Sequence, residues 1–212
     1  MTKSVVILAF DDSDKFEADK GTIHINGKPL LSRVINSVEG LADETIVVTT
    51  SQRQADLYTK IVPENVRFVV SENAAKGILA QALDGFEAAS GEYTLLLPYD
   101  SPFISTEVVS LLLDLCEGKN AVIARTPDCE AEVLHAVYNT KAAIETAKAA
   151  MAEGNFDIEA LADRLRCVRY LSTMVVEQLD DDLKSFFRVL TTLDIKKTVV
   201  LSKPRIRSKK QY

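Results

Sequence analysis

Five short runs of apolar, largely β-branched residues alternate with helical segments along the first 125 residues, and this alternation restricts the fold more than any other feature. The runs are 5–9 (VVILA), 44–49 (ETIVVT), 66–70 (VRFVV), 93–97 (YTLLL) and 121–124 (AVIA). Helical patterns fill the intervals at 52–61, 77–89 and 106–116. In the second of these, Ile78, Leu79, Ala82, Leu83 and Phe86 recur on one face, and Ser105 is placed to cap the third. A run as short and continuous as 5–9 reads as a central strand buried on both faces. The rhythm implies an α/β fold: a Rossmann-like, three-layer α/β/α arrangement with a mostly parallel sheet and right-handed crossovers.

Beyond Arg125 the rhythm changes. Residues 133–138 (VLHAVY) read as a strand, 141–152 as an Ala-rich helix and 158–165 as a further helical segment, with short strands at 167–171 and 174–177. Neither a repeat nor a linker divides the chain, so residues 1–202 are read as one domain and 203–212 as a basic tail. That tail carries five basic residues in ten. It is either a solvated end or an arm that meets a phosphate-bearing ligand.

In open α/β sheets, ligands bind outside the carboxyl ends of the strands. The polar segment 10–20 follows the first strand and lies where a ligand would bind; an Asn26-Gly27 turn follows, then a helix with Pro29 at its first position. Lys20 in that segment is either a phosphate-binding charge or a solvated loop lysine. The stretch 95–103 (LLLPYDSPF) delivers Asp100 to the same sheet edge. Such a carboxylate can hold Mg²⁺ between phosphates, or can simply close a turn.

Composition narrows the classes further. A net charge of −6 argues against general nucleic-acid binding. No apolar stretch is long enough to span a bilayer and no signal peptide precedes Val5, so a cytoplasmic protein is expected. Cys116, Cys129 and Cys167 lack metal spacing and read as incidental thiols of a reducing compartment. The glycine-rich fingerprints of dehydrogenases and P-loop NTPases, zincin motifs and a nucleophile elbow are all missing. His135, among apolar strand residues, reads as packed or hydrogen-bonded rather than catalytic.

Five segments in order carry a family resemblance. Residues 8–20 (LAFDDSDKFEADK) are similar to the loop L-A-G-G-x-S-x-R-x-G-x-D-K of the MobA-like nucleotidyltransferases, the molybdenum cofactor guanylyltransferase group. Glu72 and residues 76–80 (KGILA) resemble the family's acidic residue and G-P-L-A-G segment, and 98–103 (PYDSPF) its P-x-D-x-P-[FY] motif. Residues 132–138 (EVLHAVY) resemble its E-P-L-x-A-x-Y strand, and 187–195 (FRVLTTLDI) fall where it has F-x-N-x-N-T-x-x-D-L-like sequence.

The resemblance implies a fold of the nucleotide-diphospho-sugar transferase type and transfer of a nucleoside monophosphate, GMP from GTP being favoured, to a phosphorylated cofactor precursor such as molybdopterin. It assigns catalysis to Lys20 and Asp100, nucleotide binding to Leu8, Ala9, Lys15, Lys20, Glu72 and Gly77, and Mg²⁺ to Asp100. Removing the Asp100 carboxylate is then expected to abolish magnesium-dependent nucleotide binding with little loss of stability. Such chemistry needs positioning and charge neutralisation rather than a covalent nucleophile.

The chain departs from the family in its first loop. Phe10 and Asp11 stand where the family has Gly-Gly, and Glu17 where it has its later glycine. Segment 10–20 is glycine-free and carries five acidic residues against Lys15 and Lys20. Arg188 and Leu190 replace the late asparagines, and Arg188 either contacts phosphate or faces solvent. A catalytically inactive nucleotide-sensing or partner-binding homologue, or a transferase for another phosphorylated acceptor, is therefore the alternative.

Overall fold

The computed structural model describes residues 1–10, 16 and 18–202. Lys15, the acidic residues around it and the basic tail lie outside them.

A seven-stranded sheet runs in the order β5-β4-β1-β6-β8-β7-β9 and is flanked by helices, the α/β/α arrangement expected. Its strands are β1 (Lys3–Leu8), β4 (Glu44–Thr49), β5 (Arg67–Val70), β6 (Tyr93–Pro98), β7 (Ala121–Arg125), β8 (Ala131–Asn139) and β9 (Val168–Ser172). The small strands β2 (His24–Ile25) and β3 (Lys28–Pro29) pair apart from this sheet. β1 is central, parallel to β4 on one side and β6 on the other, with Leu8 level with Val48 and Pro98. Val5, Val6, Ile7 and Leu8 are fully buried, which is why this run is apolar on both faces. β8 runs antiparallel to both its neighbours and is the one reversed strand of the seven.

The helices are α1 (Leu30–Ser37), α2 (Gln52–Tyr58), α3 (Ile78–Ala88), α4 (Thr106–Asp114), α5 (Thr140–Ala152), α6 (Glu159–Arg164), α7 (Thr173–Val176) and α8 (Thr192–Leu201). α3 packs on β1 and β4 and against α5, its face of Leu79, Ala82, Leu83 and Phe86 being buried. Ser105 caps α4 by accepting from the Val108 amide, as its position suggested.

Two expectations are corrected. Residues 174–177 do not form a strand: Ser172 accepts from the Met174 amide, this N-cap opens α7, and Val176 is driven into the core, so a local cap and burial override β-branched propensity. Pro29 is the cap of α1 rather than its first residue, because its backbone pairs with His24 in the β2–β3 hairpin. Asn26 and Gly27 both take positive φ, 51° and 79°, as a tight two-residue hairpin turn requires.

A second, smaller apolar cluster joins the hairpin to the chain's late segment. It contains Phe16, Ile25, Leu30 and Val189, with Phe187 and Ile195 packed against it. This cluster fixes where residue 188 lies.

Candidate active site

The ends of β1 and β6 bring Lys20 and Asp100 together. Leu8 and Pro98 are in register, the Tyr99 amide donates to the Leu8 carbonyl at 3.1 Å, and the chain after each strand emerges at the same edge. Lys20 opens a 3₁₀ turn, Lys20–Thr22, whose cap is Asp19. The Asp19 carboxylate accepts from the Gly21 amide at 2.9 Å, from the Tyr58 hydroxyl at 2.6 Å and from Gln54 Nε2 at 3.2 Å. A Cβ on Gly21 would sit 2.5 Å from the Tyr58 hydroxyl oxygen, so glycine is needed for this close approach. Burial first, then Asp19, raises the pKa of the Tyr58 hydroxyl and keeps it a neutral donor.

From this turn, Lys20 Nζ donates to Asp100 Oδ2 at 2.9 Å. Both side chains are buried, and Nζ lies 5.0 Å from the Tyr99 ring centroid. Asp100 receives a second cation. Arg188 Nε donates to Oδ1 at 2.8 Å and Nη2 to Oδ2 at 3.0 Å, a bidentate pair. Burial by itself would raise the Asp100 pKa, but the Arg188 hydrogen bond and charge, followed by Lys20, outweigh it and hold the group below the ordinary carboxylate range.

Arg188 is aimed here by its neighbours. Phe187 and Val189 enter the small apolar cluster, so the alternation of an extended segment turns residue 188 the other way. The Val189 amide donates to the Asp100 carbonyl at 2.9 Å. Thr191 and Asp194 form the capping box of α8 just beyond, and this is the structural use of the two late-motif residues the chain retains. The guanidinium also lies 5.5 Å from the Phe10 ring centroid, while the Phe10 carbonyl accepts from the Tyr99 hydroxyl at 2.7 Å.

Beside this cluster is a cavity of about 550 Å³, walled by Phe10, Thr50, Ser51, Gly77, Gln81 and Arg188 among others. Gly77 stands at the start of α3 with φ 139°, and a Cβ there would meet the Phe156 carbonyl oxygen at 2.9 Å. The helix N-terminus, with its partial positive charge, faces this cavity. Gln81 lies one turn in. Its side-chain oxygen is buried without a hydrogen-bond partner, an arrangement that costs about 1–3 kcal/mol unless a ligand completes it.

The expected site residues are thus divided. Asp100, Lys20 and Gly77 converge on this edge. Lys20, expected as a mobile phosphate-binding charge, is instead buried against Asp100 and is not part of the cavity wall, whereas Arg188 is. Leu8 and Ala9, expected to bind nucleotide, are not part of the cavity wall: their side chains are in the core, the Leu8 carbonyl accepts from the Tyr99 amide and the Ala9 amide donates to the Val48 carbonyl. Glu72 is exposed and outside the cavity wall. Gln81 was not foreseen, and Phe10 was singled out only as a departure from the family's Gly-Gly. A signal for Gln81 existed, since it follows 77–80 where the similar segment of the family ends in glycine.

Magnesium takes oxygen ligands at about 2.0–2.1 Å in a near-octahedral shell. Both Asp100 oxygens already accept from cationic groups, and no group of three His, Cys, Asp or Glu side chains is gathered among the described residues. As arranged, the described residues do not fit a magnesium ion on Asp100. The three thiols form no disulfide, and no described helix is long and apolar enough to cross a membrane.

A mostly parallel sheet with a cavity and a buried ion-pair cluster outside its carboxyl edge places the chain among the α/β proteins that bind ligands at that edge. A family model, the MobA-like NTP transferase domain, matches residues 5–166, and the chain belongs to that family. A molybdenum cofactor guanylyltransferase of Burkholderia ambifaria is 30% identical over 158 residues, covering 71% of this chain and 76% of the relative. A probable molybdenum cofactor guanylyltransferase of Methanosarcina acetivorans is 24% identical over 204 residues, 93% of this chain and 90% of that one. Among solved structures, the molybdopterin-guanine dinucleotide biosynthesis protein A of Archaeoglobus fulgidus shares the fold with a TM-score of 0.77 at 22% identity, covering 93% of this chain and 97% of its own.

Proposed function

We propose that this protein is a nucleotidyltransferase that moves GMP from GTP to a phosphorylated acceptor of the molybdopterin kind and releases pyrophosphate. The observation that carries the reading is the meeting of Arg188, held by the buried Asp100, and the start of α3 on one cavity at the sheet's carboxyl edge. Membership of the family and the names of the relatives support it.

In this reaction an acceptor phosphate oxygen bonds to the α-phosphorus of the nucleotide, the bond to the bridging oxygen breaks, and the electron pair leaves with pyrophosphate. The residues present bind and orient. Arg188 meets the phosphates, Asp100 holds its guanidinium in place while Lys20 donates to the same carboxylate, and the amide end of α3 contributes further positive potential. The Gln81 carboxamide is in position to read the base or ribose by hydrogen bonding.

Calorimetric titration with GTP, ATP and CTP, each with and without Mg²⁺, tests the binding step. Phosphorus NMR of GTP incubated with a phosphorylated acceptor tests the transfer. Micromolar binding of GTP and release of pyrophosphate are expected; failure of all three nucleotides to bind would overturn the proposal. Phe10, in the cavity wall where the family has glycine, favours a second reading as a nucleotide-binding homologue without turnover. GTP binding without pyrophosphate release would select it.

A further inference from the structure

The Asp100 carboxylate has a cation on each side and the Arg188 guanidinium bridges both its oxygens. We propose that Arg188 takes the place of a divalent cation at Asp100, so that the cavity holds the phosphates of its ligand through a charge carried by the protein. The proposal rests on the reading of this cavity as a nucleotide site.

Four observations carry it. The contact is bidentate, the geometry in which guanidinium and carboxylate bind each other most strongly, and an arginine keeps its charge throughout the physiological range. The remaining nitrogen, Nη1, makes no hydrogen bond to any described residue, and Arg188 forms part of the cavity wall with its side chain 24% exposed. The guanidinium therefore holds Asp100 while Arg188 forms part of the cavity wall, which puts a fixed positive charge between that carboxylate and the cavity. Next, two departures from the family pattern meet in space, because Phe10 supplies the ring against which Arg188 is set. Finally, both oxygens of the Asp100 carboxylate already accept from cationic groups, so a dication added there would have to displace one of them.

The probe is Mn²⁺, titrated onto nucleotide-free protein and followed by water-proton relaxation in the wild-type chain, Asp100→Asn, Arg188→Asn and the double variant. Wild type and Asp100→Asn are expected to agree within about threefold in Mn²⁺ affinity. Arg188→Asn is expected to gain a site at least about fivefold tighter than wild type, and the double variant to lose that gain. A larger loss on Asp100→Asn alone, or no gain on Arg188→Asn, overturns the assignment. If Asp100→Asn does not fold, the comparison of wild type with Arg188→Asn decides.

The second measurement is GTP affinity in EDTA against affinity in Mg²⁺. The wild-type ratio is expected within about threefold, and Arg188→Asn should lose at least about tenfold in EDTA and recover it with Mg²⁺. A wild-type loss of tenfold in EDTA overturns the proposal. GTP binding in neither buffer overturns the nucleotide reading, and the Mn²⁺ comparison, which contains no nucleotide, still decides the role of Arg188.

Discussion

Ser101 Oγ, one residue along the chain from Asp100, and His135 Nε2 lie 2.9 Å apart, and both residues are buried. The ring also meets Phe186 edge-on at 5.4 Å. Burial, and secondarily the Arg188 charge, push the His135 pKa down to about 3, so the imidazole is neutral and bridges β8 to the Asp100 loop. Glu132 Oε2 is 3.7 Å from Nδ1, too far for a hydrogen bond, and with a neutral ring that contact is not an ion pair. The ring is packed and bonded through Nε2, in line with the reading of His135 as packed or hydrogen-bonded, while Nδ1 is buried without a hydrogen-bond partner.

A histidine kept neutral by folding makes the protein acid-sensitive. The unfolded chain takes up a proton below about pH 6.5 and the folded one does not until about 3, so stability is flat above that window and falls as pH drops through it. The slope contributed is at most about 1.4 kcal/mol per pH unit. His135→Gln should cost about 1–2 kcal/mol at neutral pH and flatten the acid limb between those values. Urea unfolding at half-unit pH steps measures both, and an unchanged acid limb in the variant would refute the assignment.

Removing the Asp100 carboxylate is costlier than its motif suggests. Asp100→Ala leaves Lys20 buried beside an uncompensated Arg188, and loss of one partner from a buried ion pair costs about 3–5 kcal/mol. Little loss of stability is expected of a metal ligand at an open edge, but not of this arrangement. Thermal unfolding of the variant should show a drop of that size; a change below about 1 kcal/mol would mean the pairing adds nothing to the fold.

Gly77→Ala should damage site and fold together. The added methyl meets the Phe156 carbonyl at 2.9 Å in a backbone conformation that side chains rarely adopt, so a destabilisation of about 1–3 kcal/mol is expected. The start of α3 must shift, and GTP affinity should fall with it. Measured by calorimetry, an unaltered affinity in a destabilised variant would separate this turn from the binding site.

Gln81 offers the opposite signature. Gln81→Leu removes a buried oxygen that lacks a partner, and should raise stability by about 1 kcal/mol while weakening nucleotide binding by roughly tenfold. Denaturant unfolding and calorimetry on the same sample test the pair of effects. Lower stability with full affinity would show that the carboxamide serves the core.

The run 5–9, the strands at 44–49 and 93–97 and the capped helix at 106–116 were legible because each is written in local terms: continuous apolar residues for a strand buried on both faces, and a serine before a helical face. With them came the sheet edge on which Lys20 and Asp100 had to emerge. Segment 174–177 was misread for want of one local fact, the cap supplied by Ser172.

The partners those residues take were decided only by tertiary structure. A lysine at 20 and an aspartate at 100 read alike whether they face water, phosphate or one another, and only the adjacency of β1 and β6 closes them to 2.9 Å. Arg188 is more remote still. Its motif position left solvent and phosphate equally open, and it was turned toward Asp100 by the burial of Phe187 and Val189 in a cluster built from the β2–β3 hairpin. Periodicity determines which residues must be hidden. Which charges meet depends on how the hidden surfaces pack, and that is a property of contacts between distant parts of the chain.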